Sequence, residues 1–121
     1  MFKGFKSIFS NKDKSGLRVG QVFKYKTRPG EENSTVMVIK IKDNTIHIKI
    51  NDVVINGKKN GIDHSPITRE AFVKSITSLK DVSEGKIDLT GYESWKQQQG
   101  GAFNISIAQI VDLINEAVSK K

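Results

Sequence analysis

The feature that most constrains this chain is a run of alternating side chains folded about one short turn. Segments 21–28, 36–42 and 45–52 alternate apolar and polar residues with the period of a strand. One parity carries Phe23, Tyr25, Met37, Ile39, Ile41, Ile46, Ile48 and Ile50. The other carries Lys24, Lys26, Arg28, Lys40, Lys42, His47 and Lys49. Asp43-Asn44 suits a two-residue hairpin turn, because both residues tolerate positive φ. With that turn as the tip, Lys42 opposes Thr45, Ile41 opposes Ile46 and Lys40 opposes His47. Further along, Ile39 opposes Ile48, Val38 opposes Lys49 and Met37 opposes Ile50. Every such apolar pair lands on one face, and a one-residue slip would undo the match. The expectation is a sheet with one apolar face and one cationic face, the latter shared by Val22, Val36 and Val38.

The rest of the chain supplies partners for the apolar face. Alternation fades at Val53-Val54-Ile55, which marks a bulge, a bend or burial on both sides. Asn56-Gly57 is a turn signal, and 57–67 reads as a loop. Thr68 is placed to cap a helix running to about Leu79, with Phe72, Ile76 and Leu79 on one stripe. Residues 80–90 form a polar connection, 91–99 a short helix, and 102–105 a fourth strand. Ser106 and Gln109 have capping-box spacing. Ile107, Ile110, Val111, Ile114 and Val118 then line a last helix. The expected fold class is α+β: an antiparallel sheet of about four strands, one face packed by two main helices, in the order β-β-β-α-(α)-β-α.

Charge divides the chain. The net charge is +7 over 121 residues. Residues 1–18 hold five basic and one acidic side chain, and the other 103 hold 15 basic and 12 acidic. This predicts a basic amphipathic arm, 1–18, joined to a single domain, 19–121. The chain has no cysteine, which excludes disulfides, thiolate metal sites and a cysteine nucleophile. No apolar run approaches the length of a membrane span. No secretory leader is evident, and a cytoplasmic location is expected, peripheral to the inner membrane if the arm engages lipid.

Four groups of residues are candidates for function. The cationic face, Lys24, Lys26, Arg28, Lys40, Lys42, His47 and Lys49, suits phosphates or an acidic protein. It is equally the ordinary solvated side of a sheet, and no aromatic residue shares its parity to stack bases. Tyr92 and Trp95, beside Gly100-Gly101, could line an aromatic groove or close one end of the core. Phe2, Phe5, Ile8 and Phe9 with flanking lysines suit weak contact with an anionic membrane surface. His64 in Asp63-His64-Ser65 has triad residue types, but a triad is built from distant segments, so a structural or solvent role is expected. His47 is expected to be exposed, and Glu31-Glu32 to be a solvated loop pair.

Several blocks carry a family resemblance. They are Gly20-Gln21-Val22-Phe23-Lys24-Tyr25 with Arg28-Pro29-Gly30-Glu31-Glu32, His64-Ser65-Pro66, Gly91-Tyr92-Glu93-Ser94-Trp95 and Phe103-Asn104-Ile105-Ser106-Ile107. Over about residues 19–118 the chain resembles an uncharacterised family of short bacterial proteins. That resemblance implies a free-standing bacterial domain and carries no activity, cofactor or catalytic residue.

No phosphate-loop, dinucleotide or metal-ligand spacing is present, and no catalytic set converges in the sequence. The expectation is therefore a non-catalytic binding module without a cofactor or metal, recognising another protein, with immunity- or antitoxin-like roles included. Non-specific nucleic-acid binding through the cationic face and membrane association through the arm stand as alternatives.

Overall fold

The structure, a computed structural model, describes residues 16–119. Among these residues, five strands form one antiparallel sheet: β1 (Gln21–Tyr25), β2 (Thr35–Lys42), β3 (Thr45–Ile55), β4 (Lys58–Thr68) and β5 (Ile76–Val82). Three helices accompany it among the described residues: α1 (Arg69–Ser75), α2 (Thr90–Gln97) and α3 (Ile107–Ser119). Strand order is β4-β3-β2-β1-β5, so β4 and β5 are the two edges. The class is α+β, with one more strand than expected and a third helix on the opposite face.

The hairpin tip folds as the pattern dictates, and then the register moves. Lys42 faces Thr45, Ile41 faces Ile46 and Lys40 faces His47. Beyond them a bulge leaves Ile39 unpaired, and Val38 faces Ile48, Met37 faces Lys49 and Val36 faces Ile50. Val36 and Val38 thereby join the core, and Met37 turns to the other face. The run Val36-Met37-Val38-Ile39 is apolar at both parities, so alternation alone could not choose between registers there. Only Asp43 of the turn takes a positive φ, 54°. The fading alternation after Ile50 is a second bulge, with Asp52 at φ 59°.

Three expectations are corrected. Residues 57–67 are not a loop. Asn56-Gly57, both at positive φ, turn the chain into β4, whose polar start and Pro66 are tolerated because the strand lies at an edge. The helix capped by Thr68 ends at Ser75 rather than near Leu79. Thr68 Oγ1 accepts from Ala71 N at 3.2 Å as expected, but the β-branched and hydroxyl residues that follow are drawn out as β5 against the edge of β1. The supposed strand at 102–105 is a single bridge between Phe103 and Ile67.

The inner face of the sheet holds the core. Phe23, Val36, Val38, Ile46, Ile48, Ile50 and Ile67 are fully buried against Phe72 of α1 and Ile107, Ile110 and Val111 of α3. Phe23 and Phe72 meet edge to face at 5.7 Å, a favoured aromatic geometry. The capping box forms: Gln109 N donates to Ser106 Oγ at 3.1 Å, and Ser106 N donates to Gln109 Oε1 at 3.0 Å.

Candidate functional site

The outer face of the sheet carries the chemistry, and it is not simply solvated. After β5 the chain returns across this face and lays α2 over β3 and β4. Three side-chain positions decide how closely the helix seats. Gly91 lies so near β4 that a Cβ there would meet His64 Cβ at 2.5 Å. A Cβ on Gly100 would run into the Trp95 ring. Trp95 Nε1 in turn donates to Gly101 O at 3.0 Å. The glycine pair thus receives the indole.

Beneath α2 lies His47. It is fully buried, contrary to its expected exposure. His47 Nδ1 and His64 Nε2 are 2.8 Å apart, with the rings stacked at 16°. Tyr92 and Trp95 stand nearly perpendicular to the His47 ring, with centroids at 4.7 and 4.6 Å. Lys40 Nζ sits 5.4 Å from the centre of the Tyr92 ring, within cation–π range. His47 Nε2 is buried without a hydrogen-bond partner. Placing the His47 proton on Nδ1, donated to His64, leaves Nε2 a bare ring nitrogen and buries no unpaired donor. Burial first, then His64 and Lys40, lower the His47 pKa to about 4. Burial also lowers that of His64. Both rings are therefore neutral near pH 7. His47 and Tyr92 are the buried members of the cluster, and His64 and Trp95 are half-buried at its margin. Sequence reasoning missed it because His47 occupies a cationic parity. Its flanks, Ile46 and Ile48, and the i, i+3 pair Tyr92 and Trp95 were the available signal.

The expected cationic face comes apart into three sets. Lys24, Lys40, Lys42 and Lys49 do belong to the outer face, through their pairings with Thr35, His47, Thr45 and Met37. Lys26 lies beyond β1 and borders a cavity of about 450 Å³ beside α1 and the start of α3. There the first N–H groups of α3 are already taken by Ser75 Oγ, Ser106 Oγ and Ser106 O. Arg28 is an internal clamp. Its guanidinium bonds Glu31 at 2.5 and 2.8 Å, Asp112 at 3.2 Å and Val54 O at 2.9 Å. Glu31 is buried, accepts from Val54 N at 2.7 Å, and is held below its usual carboxylate range by Arg28. It is not a solvated loop residue. Phe2, Phe5, Ile8 and Phe9 lie outside the described residues.

Next to the histidine cluster is a pocket of about 360 Å³, roofed by the segment that leads into α2. Met37 and Ile39 line it together with Lys49, Asp63, Lys86 and Asp88. Asp88 accepts from Thr90 N at 3.0 Å and Thr90 Oγ1 at 2.7 Å, and these bonds hold its pKa down, with a smaller contribution from Lys49. Met37 comes to this pocket only because of the bulge at Ile39. Among the described residues, no group of three or more His, Asp or Glu is placed to hold a metal ion. No described helix is long and apolar enough to cross a membrane. No family model matches the chain, and neither a curated protein nor a solved structure matches it.

Proposed function

We propose that this chain is a non-catalytic binding module that recognises another protein through the outer face of its sheet. The observation that carries this reading is the pocket beside α2. Its apolar lining, Met37 and Ile39, is bordered by two cations, Lys49 and Lys86, and two anions, Asp63 and Asp88. Apolar surface ringed by charges of both signs suits a protein partner, whose own charges set orientation and whose apolar side chain fills the gap. A phosphate backbone would gain from Lys24, Lys40 and Lys49 but would meet Asp63, Asp81 and Asp88 on the same face, where like charges oppose it. Neither His47 nor His64 lines the pocket, which favours binding over turnover.

Affinity capture with the full chain tests this. A protein retained by the wild type and lost by Lys49→Glu/Lys86→Glu, with the melting temperature unchanged, supports the reading. Equal retention by both proteins would count against this face. Binding of a single- or double-stranded oligonucleotide, falling steeply with salt and lost in the same variant, would replace it with nucleic-acid recognition. Sedimentation with anionic vesicles, lost on deleting 1–18, would replace it with membrane association.

A further inference from the structure

The edge formed by β5 is the most exposed strand of the sheet: after Ile76, all six residues face solvent. Among the described residues it pairs with β1 on one side and with no strand on the other. Leu79 is 39 % and Val82 49 % exposed, unusual for apolar side chains in a strand. Leu79 lies opposite Phe23 and Val82 opposite Gln21, two positions of one parity, because Lys80 is the extra residue of a bulge. Both apolar side chains therefore sit on the inner-face side of the edge. Val19, 46 % exposed, stands at the same end, since Ser83 N donates to Gly20 O at 2.7 Å.

Charges and bulges at an edge commonly block pairing with another chain. A lone charge does so against any copy of itself. Here the charges are adjacent and opposite, Lys80-Asp81, and are flanked by Leu79 and Val82. Antiparallel pairing reverses one strand, and this four-residue order is unchanged in kind by reversal: apolar, charged, oppositely charged, apolar.

We propose that β5 pairs with β5 of a second copy, antiparallel about a two-fold axis between Lys80 and Asp81. Lys80 then faces the partner's Asp81 and Leu79 faces the partner's Val82, each pair twice by symmetry. The two sheets become one continuous sheet of ten strands. A slip of one residue either way sets Lys80 against Lys80 or Asp81 against Asp81 and removes both apolar pairs. The register is thus fixed by charge as well as by apolar contact. This contact lies at the sheet edge, apart from the outer-face pocket, so it stands or falls independently of partner recognition.

Sedimentation velocity of the full chain over micromolar to millimolar loading is expected to show a monomer–dimer equilibrium. Lys80→Asp and Asp81→Lys should each weaken the dimer by about tenfold or more, as two attractive cross-strand pairs become repulsive. The double exchange Lys80→Asp/Asp81→Lys should restore it. Because the chain has no cysteine, Leu79→Cys/Val82→Cys offers a second readout on an edge whose burial is slight. Mild oxidation should give a covalent dimer with the pair of substitutions and not with Leu79→Cys alone. A single monomeric species at every concentration would overturn the proposal. So would a dimer indifferent to the charge exchanges, or crosslinking by Leu79→Cys alone.

Discussion

Acidification should loosen this fold chiefly through one residue. His47 is fully buried, its Nε2 has no acceptor, and its pKa falls from 6.5 to about 4. The unfolded chain takes up a proton at this residue near pH 6.5, whereas the folded chain resists until about pH 4. Between those values the unfolded state binds more protons, so stability declines as pH falls. The contribution is fully present above pH 6.5, and no more is lost below about pH 4. A depression of this size corresponds to about 3 kcal/mol, a large part of the stability of a domain this small. The groups facing His47 all point the same way: His64 from β4 and Lys40 from β2 are cationic or become so, and Tyr92 and Trp95 from α2 offer no negative charge. His64, also lowered by burial, adds to the effect in the same direction. Urea unfolding followed by the fluorescence of Trp95, the single tryptophan, should show the loss between about pH 7 and about pH 4.5. His47→Gln should lower stability near pH 7 but flatten that decline. A His47→Gln protein whose stability falls with pH as steeply as the wild type would refute the argument. Glu31 does not confuse the test: its lowered pKa gives stability that is present above its ordinary value of 4.5 and is lost only as pH falls further.

Phe72→Ala should cost about 3–5 kcal/mol in denaturant unfolding, because the ring is fully buried and meets Phe23 edge to face. Gly91→Ala should destabilise by about 1–3 kcal/mol, since the new methyl must push His64 or α2 aside, whereas Gly101→Ala meets nothing within 4 Å and should change the same midpoint little. Ser106→Ala removes one half of the capping box and should cost about 1 kcal/mol, measured by the shift in urea midpoint at constant slope.

The parts of the fold legible in the sequence were those whose signal was local. The hairpin tip at Asp43-Asn44, the Thr68 cap and the Ser106–Gln109 box each follow from a few adjacent side chains, and each is in place. What eluded the sequence was settled by tertiary contact. Val36 to Ile39 are apolar at every position, so the bulge at Ile39 answers to packing against Ile48 and Ile50, not to alternation. β4 begins with four exposed residues and contains Pro66, and only its place at the sheet edge makes it a strand. Ile76 fits a helical stripe and a strand equally, and the open edge of β1 decides. For the site, Tyr92 and Trp95 read from sequence as lining a groove or closing one end of the core, but the histidines they cover lie 17 residues apart in the chain and carry no motif. Arg28 reads as surface charge by its parity, and only the folded chain sets Glu31 and Asp112 around it.

The position of β5 has a consequence for the order in which the domain assembles. Strands β1 to β4 succeed one another as hairpins, so their pairings close short loops. β5 reaches β1 only after some fifty residues of intervening chain, as the pairing of Tyr25 with Ile76 shows. Closing a longer loop costs more entropy and slows the approach. Until it closes, β1 itself is the bare edge, with Phe23 and Tyr25 uncovered on one side. β5 should therefore be the last strand to dock and the first to open, and its amides should exchange with solvent well before those of β2 and β3.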